Sequence, residues 1–520
     1  MSIFNTILNK KPNYSVQNLS QDVKLSCNMG DLVPIMCQEV IPGDKFNNQS
    51  EILIRFQPLL APIMHQVDVT THFFFVPNRI IWDGWEEFIT GGDNGLSERV
   101  MPYFGSTQDI QQIVHKDFRK LAQYFGINFT GNKYDKVCCN ALPFYAYNKI
   151  YNEYYRDQNL VDALLDKASD GSNVSISVLS EKFKIRKRAW KHDMFTSALP
   201  FAQKGAEVNL PMSSLNIEFD EDNNTPTELV DSNGERAGIL GKIVSGELEN
   251  ISLFAESGLT GDTKLKRVDN SQNLKLTGEN ETSINELRRA TRLQEWLERN
   301  ARGGSRYIEA IKAHFNVNSP DYRLQRPEYL GGGIQNVRIS EVLQTSETTD
   351  KSAQATMAGH GYSIGGQNTF RGKFTEHGFI IGIMSVTPKP SYMQGVPRWA
   401  LKDNKFDFAF PEFAQLGEQE VYSQELYNDG ESTTFGYEPR YNEYRFSPDI
   451  VAGDFKTNLD FWHLGRKFTS KPTLSKEFIE CNPSNRIFAV TDDNVDHLLC
   501  HIINKTKAVR PLPKFNSPTL

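Results

Sequence analysis

Two short motifs hold residues whose types and spacing could do chemistry. Residues 361–365 read Gly-Tyr-Ser-Ile-Gly, which matches the G-x-S-x-G nucleophile elbow, in which Ser363 would attack an acyl carbon. Further along the chain, His497, Cys500 and His501 could bring three metal-binding side chains together. These motifs raise two possibilities, a serine hydrolase and a metal site.

The segments around the serine do not support a nucleophile elbow. An elbow lies between a buried strand and a helix. Residues 354–360 (QATMAGH) lack the pattern of a strand, and residues 366–373 (GQNTFRGK) lack the period of an amphipathic helix. The sequence therefore argues against a hydrolase that uses Ser363.

The histidine and cysteine motif has a simpler interpretation as part of a strand at an interface. If residues 497–507 form a strand, His497 and His501 share one face and Cys500 points to the other. No glutamate completes an H-E-x-x-H pattern. We predict no enzyme activity, no cofactor and no metal site.

The best nucleic-acid candidate is the segment 182–191, which reads KFKIRKRAWK. It concentrates six positive charges in ten residues, with Phe183 and Trp190 between them, a composition typical of nucleic-acid contacts. A solvated loop and an intersubunit salt-bridge patch remain the alternatives. The candidate DNA contacts are Lys182, Lys184, Arg186, Lys187, Arg188 and Lys191.

Composition limits the classes of protein to consider. The 520 residues carry a net charge of −7, so the whole chain is not a polycation that coats nucleic acid. The six cysteines form no CxxC pair, and the adjacent Cys138 and Cys139 are expected to stay reduced because vicinal disulfides are strained. Neither a signal peptide nor a membrane-length apolar run is evident. We expect folding in a reducing cytoplasm and no membrane insertion.

Predicted strands cluster at both ends of the chain, with helices and long connections between them. In residues 66–76, Val67, Val69, Phe73 and Phe75 alternate with polar residues and indicate a half-buried strand. The predicted strands are Val23–Met29, Asp31–Val40, Glu51–Phe56, Gln66–Val76, Phe379–Val386, Arg486–Val490 and His497–Lys507. The predicted helices are 107–125, 144–166, a segment from a capping box at Ser283 and Glu286 to Gly303, and 305–315 with Ile308, Ile311 and Phe315 turned inward.

This layout predicts a mainly β fold in which strands distant in sequence close one sheet. Residues 320–370 are predicted to be loop. Residues 212–282 are acidic and polar, which indicates a surface insertion. The expected organisation is an N-terminal arm (1–20), strands with helical loops (21–211), the insertion (212–282), and helical loops with the remaining strands and a C-terminal arm (283–520).

Long collinear blocks of the chain resemble the major capsid proteins of the Microviridae, the small single-stranded-DNA phages, and in particular their gokushovirus branch. Residues 64–92 (MHQVDVTTHFFFVPNRIIWDGWEEFITGG) carry the most specific similarity. The other blocks are Leu19–Pro42, Leu142–Asn159, Lys191–Gly205, Leu297–Leu330, Phe374–Val386, Gln415–Gln419, Phe435–Arg445 and Trp462–Leu464. The insertion at 212–282 does not match, and this region also varies within the family.

The resemblance implies an eight-stranded antiparallel jelly roll with long, partly helical interstrand insertions. It implies sixty copies in a T=1 icosahedral shell around a circular single-stranded DNA, assembled in the bacterial cytoplasm and located in the virion. The insertion 212–282 would form a threefold protrusion that contributes to host recognition. The implied partners are other copies of the chain, the genomic DNA, a small basic DNA-binding protein, a minor pilot protein, a scaffolding protein and a host receptor.

Two groups of aromatic residues are candidates for subunit contacts, because aromatic and arginine side chains are enriched at interfaces. They are Tyr147, Tyr151, Tyr155, Tyr437, Arg440, Tyr441, Tyr444 and Arg445. For the first three, packing inside the chain is the alternative. Two other functions compete with a coat protein: a β-sandwich binding module that uses 212–282 as its recognition loop, and the hydrolase that uses Ser363.

Overall fold

The computed structural model describes residues 12–105, 116–128, 138–171, 181–206, 208, 216–219, 229–230, 236–244, 247–255, 266–267, 274–277, 284–343, 357–492 and 494–514. The strands are β1 (Ser15–Asn18), β2 (Gln21–Cys27), β3 (Val33–Val40), β4 (Lys45–Phe56), β5 (Val67–Pro77), β6 (Tyr103–Gly105), β7 (Cys138–Asn140), β8 (Asn216–Phe219), β9 (Leu229–Val230), β10 (Arg236–Val244), β11 (Glu247–Ala255), β12 (Lys266–Arg267), β13 (Leu274–Thr277), β14 (Glu328–Asn336), β15 (Arg338–Leu343), β16 (Met357–Lys373), β17 (Gly378–Pro388), β18 (Glu418–Tyr422), β19 (Thr434–Pro439) and β20 (Leu498–Arg510).

The helices are α1 (Asn78–Ile81), α2 (Trp85–Thr90), α3 (Lys116–Tyr124), α4 (Leu142–Ile150), α5 (Ile284–Gly303), α6 (Tyr307–Phe315) and α7 (Lys476–Ile479). A π-helical turn, Tyr151–Tyr155, follows α4. Short 3₁₀ helices punctuate the later loops at Arg398–Ala400, Lys405–Asp407, Pro411–Phe413, Ser423–Glu425, Asn442–Tyr444, Gly453–Lys456, Asp460–Trp462 and Asn485–Ile487.

Two antiparallel sheets pack face to face and form a β-sandwich. The larger sheet has the order β1-β20-β4-β16-β15, with β2 also paired to β20, and the smaller sheet has the order β14-β5-β17-β3. The core between them takes Ile54 and Ile502 from the larger sheet and Phe73 and Met384 from the smaller one. Since β20 pairs with β2 and β4, strands from the two ends of the chain close one sheet, as predicted.

Within this sandwich the strand order is that of a jelly roll. Without the edge strands β1 and β15, each sheet keeps four strands, β2-β20-β4-β16 and β3-β17-β5-β14. The chain passes between the sheets in two linked Greek keys, which is the arrangement that defines this fold. The predicted mainly β fold is therefore confirmed, although the two sheets hold ten strands rather than eight in the described part of the chain.

The strand β5 shows how the sequence places the two sides of the smaller sheet. Val67, Val69, Phe73 and Phe75 face the core between the sheets, as their alternation predicts. Phe74, on the opposite side, belongs to a second core. This strand is central in its sheet, so both of its faces are covered and both carry apolar residues.

The second core lies between the outer side of the smaller sheet and the helices α1, α3 and α4. Phe104, Phe118, Phe144 and Phe183 meet there, with ring centroids 5.0 to 6.3 Å apart. Every residue of α4 except Lys149 is buried. The aromatic stripe that begins at α4 is thus packing within the chain.

Several predicted elements differ from the structure. The predicted helix 144–166 ends at Tyr155, because Arg156 is extended and Asp157 caps the following turn. The predicted loop 320–370 contains β14, β15 and most of β16. The alternation that marks a strand is absent from β14 because it contains three consecutive glycines. Gly332 is needed there, since a Cβ would collide with the carbonyl oxygen of Thr71 on β5.

Three further corrections concern shorter segments. Residues 486–490 were predicted to be a strand, but a 3₁₀ helix occupies Asn485–Ile487 and only Phe488 makes an isolated bridge. Phe315 was predicted to point inward and is 75% exposed, because α6 ends there with Asn316 in a left-handed conformation. The predicted helix 107–125 is seen as α3, while residues 107–115 and the capping residue Ser283 lie outside the described residues.

The chain divides into two compact units. One comprises residues 1–204 and 297–520 and contains the sandwich; the other comprises 205–296. The second unit includes β8–β13, in which β10 and β11 form an antiparallel hairpin and β8 pairs with β13. The predicted insertion 212–282 lies within this second unit.

Candidate nucleic-acid and subunit interfaces

The basic segment 182–191 is an extended stretch fixed by its backbone. The Arg186 carbonyl accepts from Leu32 N–H at 2.9 Å, and Arg188 N–H donates to the Gly30 carbonyl at 2.7 Å. Trp190 N–H donates to the Ile479 carbonyl at 2.9 Å. The segment is therefore held on both sides and is not a solvated loop.

Three of its cations are used inside the chain. Arg186 is 9% exposed and donates to the carbonyls of Glu181 and Lys182, and burial lowers its pKa. Lys187 forms an ion pair with Asp31 at 2.8 Å. Arg188 donates to Ser385 Oγ on β17 at 2.8 Å. Arg186 in particular is too buried to reach a nucleic acid, so its assignment as a DNA contact is corrected.

The other cations of the segment are accessible. Lys182 and Lys191 are exposed, and Lys184 is half-buried. Lys191 and Arg188 line a cavity of about 640 Å³ on the outer side of the smaller sheet, together with Trp190 and Tyr329. This cavity combines cations with aromatic rings, as nucleotide-binding surfaces do, but the carboxylates of Asp68 and Asp321 also line it, so its charge is mixed.

The half-buried imidazole of His72 also lines this cavity. His72 Nδ1 is 2.8 Å from Tyr155 Oη, and burial lowers the pKa of His72 to about 4. The imidazole is therefore neutral near pH 7 and adds no positive charge to the cavity. Tyr155 acts as its hydrogen-bond partner.

The first aromatic group is internal. Tyr147 is fully buried: its Oη donates to the Leu32 carbonyl at 2.9 Å and accepts from Arg186 N–H at 3.0 Å. Tyr151 is 3% exposed. Neither ring has surface to offer a neighbouring subunit, so the interface prediction is corrected for these two residues.

The second aromatic group reaches the surface only at its end. Tyr437 lies on β19 and pairs with Leu199 through two 2.8 Å backbone hydrogen bonds. Tyr441 has a φ of 63° and is 6% exposed, with the Arg440 guanidinium 5.0 Å from its ring centroid. Tyr444 is 57% exposed, and Arg445 beside it is also exposed.

An exposed aromatic patch adjoins Tyr444 and was missed in the sequence. Its members and their exposures are Phe406 48%, Phe408 53% and Phe410 43%. Lys402 links the patch to Tyr444, since its Nζ lies 4.3 Å from the Tyr444 ring and 5.5 Å from the Phe408 ring. The alternation of Phe406, Phe408 and Phe410 in the sequence could have identified this patch. We refer to these three phenylalanines with Tyr444 as the aromatic patch.

Comparison with known proteins identifies the family of the chain that carries these surfaces. Residues 8–520 match the model of the phage capsid protein family described as "Capsid protein (F protein)". The chain is 33% identical to capsid protein VP1 of Chlamydia phage 1 and 34% identical to capsid protein VP1 of Bdellovibrio phage phiMH2K, each over 96% of this chain and 94% of the relative. It is 32% identical to capsid protein VP1 of Spiroplasma virus 4, over 95% of this chain and 93% of the relative.

The chain belongs to the phage F capsid-protein family. The predicted resemblance to Microviridae capsid proteins is confirmed. Proteins of this family build a shell and are not enzymes, which confirms the prediction that the chain has no enzymatic role. Among the residues described, no helix is long and apolar enough to cross a membrane.

The structure of this capsid protein shows what the chemical motifs do instead. Ser363 lies in the middle of β16, is 1% exposed, and donates to the Asn336 carbonyl at 2.9 Å while accepting from Gln335 Nε2 at 2.9 Å. A nucleophile elbow needs a turn into a helix, and here strand continues on both sides.

The histidines and cysteine are also dispersed. His497 is buried just before β20 and binds Asn28 and the Val490 carbonyl through its ring nitrogens. Cys500 faces the core beside Cys27, and His501 faces outward toward Asp22. His497 and His501 thus do not share a face as predicted, because the strand begins one residue later. Within the described residues, no group of three potential ligands could hold a metal ion.

Proposed function

We propose that this chain is the major capsid protein of a Microviridae phage and that sixty copies form a T=1 shell around a circular single-stranded DNA. The observation that carries the proposal is the similarity to three VP1 capsid proteins over at least 95% of the chain. A jelly-roll sandwich supports it, because the sandwich offers sheet edges and long loops for contacts between copies.

The aromatic patch is the surface that we assign to contacts between copies. Large apolar side chains that remain exposed in a monomer mark interaction sites when they cluster. Aromatic residues carry much of the binding energy of such contacts, and arginines such as Arg445 pair with them. Tyr444 and Arg445 retain the interface role predicted from the sequence, and Arg440 supports Tyr441 from within the chain.

We assign the threefold protrusion and the contact with a host receptor to residues 212–282. Two observations support this assignment: the segment lies in a compact unit of its own, and its composition is acidic and polar. A loop that binds a receptor can vary without disturbing a shell, because variation in surface loops costs little stability.

The genome requires partners beyond the shell. A chain with a net charge of −7 does not neutralise DNA by itself, so a small basic DNA-binding protein is expected inside the particle. Lys182, Lys184 and Lys191 remain candidates for a local contribution. A minor pilot protein and a scaffolding protein complete the expected set, with assembly in the cytoplasm of the bacterial host.

Electron microscopy of the protein from producing cells, combined with sedimentation, tests the proposal. Uniform small icosahedral particles with bumps at the threefold axes are expected. If no particles form when every phage partner protein is present, the shell function is wrong. A β-sandwich that binds ligands as a monomer would then be the better description.

A further inference from the structure

The outward side of the larger sheet is positively charged, although the chain as a whole is negative. Its strands β2, β4, β15, β16 and β20 alternate between residues that face the core and residues that face outward. Eight lysines or arginines face outward, against two carboxylates, Asp22 and Glu51. The eight cations are Lys24, Lys45, Arg55, Arg338, Arg371, Lys373, Lys505 and Lys507.

Cations at one end of this face are direct neighbours. Lys45 and Lys373 are partners in the β4–β16 register and both are exposed. In the next row, Asn47 lies between Arg371 and Lys507. Within the described part of the chain, none of these four cations forms an ion pair with a carboxylate. Like charges directly opposite each other destabilise a sheet, so this arrangement favours an external anion.

The other end of the face opens into a cavity of about 1090 Å³ between α3 and strands β2, β4 and β20. Arg55 and Arg119 line it, and the Nε atom of Arg119 is buried without a hydrogen-bond partner among the described residues. Leu53 and Leu499 also line the cavity, and Leu499 is 47% exposed. The cavity therefore offers guanidinium groups beside apolar surface.

We propose that the outward face of the larger sheet binds the sugar–phosphate backbone of single-stranded DNA and is the side of the subunit that faces the genome. This inference rests on the shell function proposed above and names the surface that the DNA would contact. Phosphates would neutralise the unpaired rows at Lys45 and Lys373 and would supply acceptors for Arg55 and Arg119.

Two features favour nucleic acid over an acidic protein. His360 and Tyr362 stack on this face with ring centroids 6.2 Å apart and an interplanar angle of 26°, and Ile364 beside them is 72% exposed. Bases can pack on such rings and aliphatic groups. Outward residues also recur along a strand at roughly 7 Å, a regular spacing that suits a repeating polyanion.

The proposal separates this face from the segment 182–191. That segment packs on the outer side of the smaller sheet, where Arg188 reaches Ser385 of β17. The two basic surfaces therefore lie on opposite sides of the sandwich. A subunit in a closed shell presents one side to the interior, so one surface carries most of the DNA contacts.

Binding of a fluorescein-labelled oligo(dT) to the full-length chain, measured by anisotropy against salt concentration, tests the proposal. The variant removes the neighbouring cations: Lys45→Ala, Arg371→Ala, Lys373→Ala and Lys507→Ala. Four lost phosphate contacts should lower the slope of log K against log salt by about 3 and weaken binding about 100-fold at 0.1 M salt. Two control variants change other cations to alanine. One changes the exposed Lys312, Arg323, Lys405 and Lys456, and the other changes Lys182, Lys184 and Lys191 of the segment 182–191.

Both control variants should retain most of the affinity for oligo(dT). A further variant, Lys45→Arg with Lys373→Arg and Lys507→Arg, keeps the charges and should keep the slope of log K against log salt. This result would show that the loss in the alanine variant comes from lost charge and not from misfolding. The proposal is wrong if the sheet variant binds like wild type or if only the 182–191 variant loses binding. Loss of poly-glutamate binding with retained oligo(dT) binding would indicate an acidic protein partner and would also overturn it. Particle formation by the same variants separates the proposed DNA-binding face from the proposed shell function. If the sheet variant forms normal particles and binds DNA like wild type, the DNA-binding face is wrong and the shell function still holds.

Discussion

Gly30 offers the sharpest test of how the chain holds its basic segment. It has a φ of +80°, and a Cβ there would collide with the Cys481 carbonyl oxygen and lie 2.9 Å from the carbonyl carbon. Its N–H donates to the Val386 carbonyl at 2.8 Å, and its carbonyl accepts from Arg188 N–H at 2.7 Å. Gly30 thus joins β17 to the segment 182–191 and cannot move away from Cys481 without breaking these bonds.

The magnitude follows from a comparison with Gly126. Gly126 has the same φ of +80°, but a Cβ there meets nothing within 4 Å. Gly126→Ala should therefore cost only the left-handed conformation, about 1 to 2 kcal/mol. Gly30→Ala adds two disrupted backbone hydrogen bonds at about 1 kcal/mol each, and the clash itself, so we expect a total of about 3 to 5 kcal/mol.

Denaturant midpoints from intrinsic fluorescence of the full-length chain measure both costs. The expected order is wild type, then Gly126→Ala, then Gly30→Ala, with the last variant also giving fewer particles. Equal midpoints for the two variants would refute the reasoning, because they would show that the backbone around Cys481 yields without cost. Since Gly126 matches the backbone conformation, the difference between the variants isolates the close approach.

The remaining predictions concern pH, a buried hydroxyl, an interface and the insertion. Burial raises the pKa of Glu438 to about 7, so the folded chain keeps a proton that the unfolded chain, with an ordinary value of 4.5, releases. The free energy of unfolding should therefore fall as pH rises from about 4.5 to 7. In Glu438→Gln, this decrease should be smaller by about 3 kcal/mol. If the melting temperatures of wild type and variant change with pH in parallel, the prediction is wrong. Ser363→Ala should cost about 1 to 3 kcal/mol because the buried Ser363 hydroxyl makes two hydrogen bonds, with Gln335 Nε2 and with the Asn336 carbonyl, that the variant loses. An unchanged denaturation midpoint would contradict this. Tyr444→Ala should raise the concentration needed for particle assembly about tenfold, whereas Tyr322→Ala, at a similar 60% exposure, should not; equal thresholds would remove the aromatic patch from the interface. Deleting 215–280 should leave particles intact and lower the plaque count, and loss of particles would disprove the assignment of the insertion.

Much of the β-sandwich could be predicted from local patterns. The alternation in β5 identified a strand and the side that faces the core, because side chains in a strand point to opposite faces in turn. The strands at the two ends of the chain were found for the same reason. β14 was missed, since three consecutive glycines carry no side chains and therefore leave no alternation to detect.

The candidate site was only partly predictable. The charges of 182–191 were evident, but a charge pattern does not show which side chain a neighbouring element covers, and Arg186 proved to be buried. Tyr147 and Tyr444 are chemically alike, yet one is fully buried and the other is 57% exposed. Their packing partners, such as Leu32 and Lys402, come from distant parts of the chain.

The sequence by itself determined the family, the fold class and the strands that alternate, because collinear blocks and local periodicity are properties of neighbouring residues. The basic face of the larger sheet was decided only by the tertiary structure. Lys45, Arg371 and Lys507 belong to three segments that are far apart in the sequence, and antiparallel pairing brings them into adjacent rows. Pairing between strands that lie hundreds of residues apart depends on long-range packing and register, which no local pattern encodes.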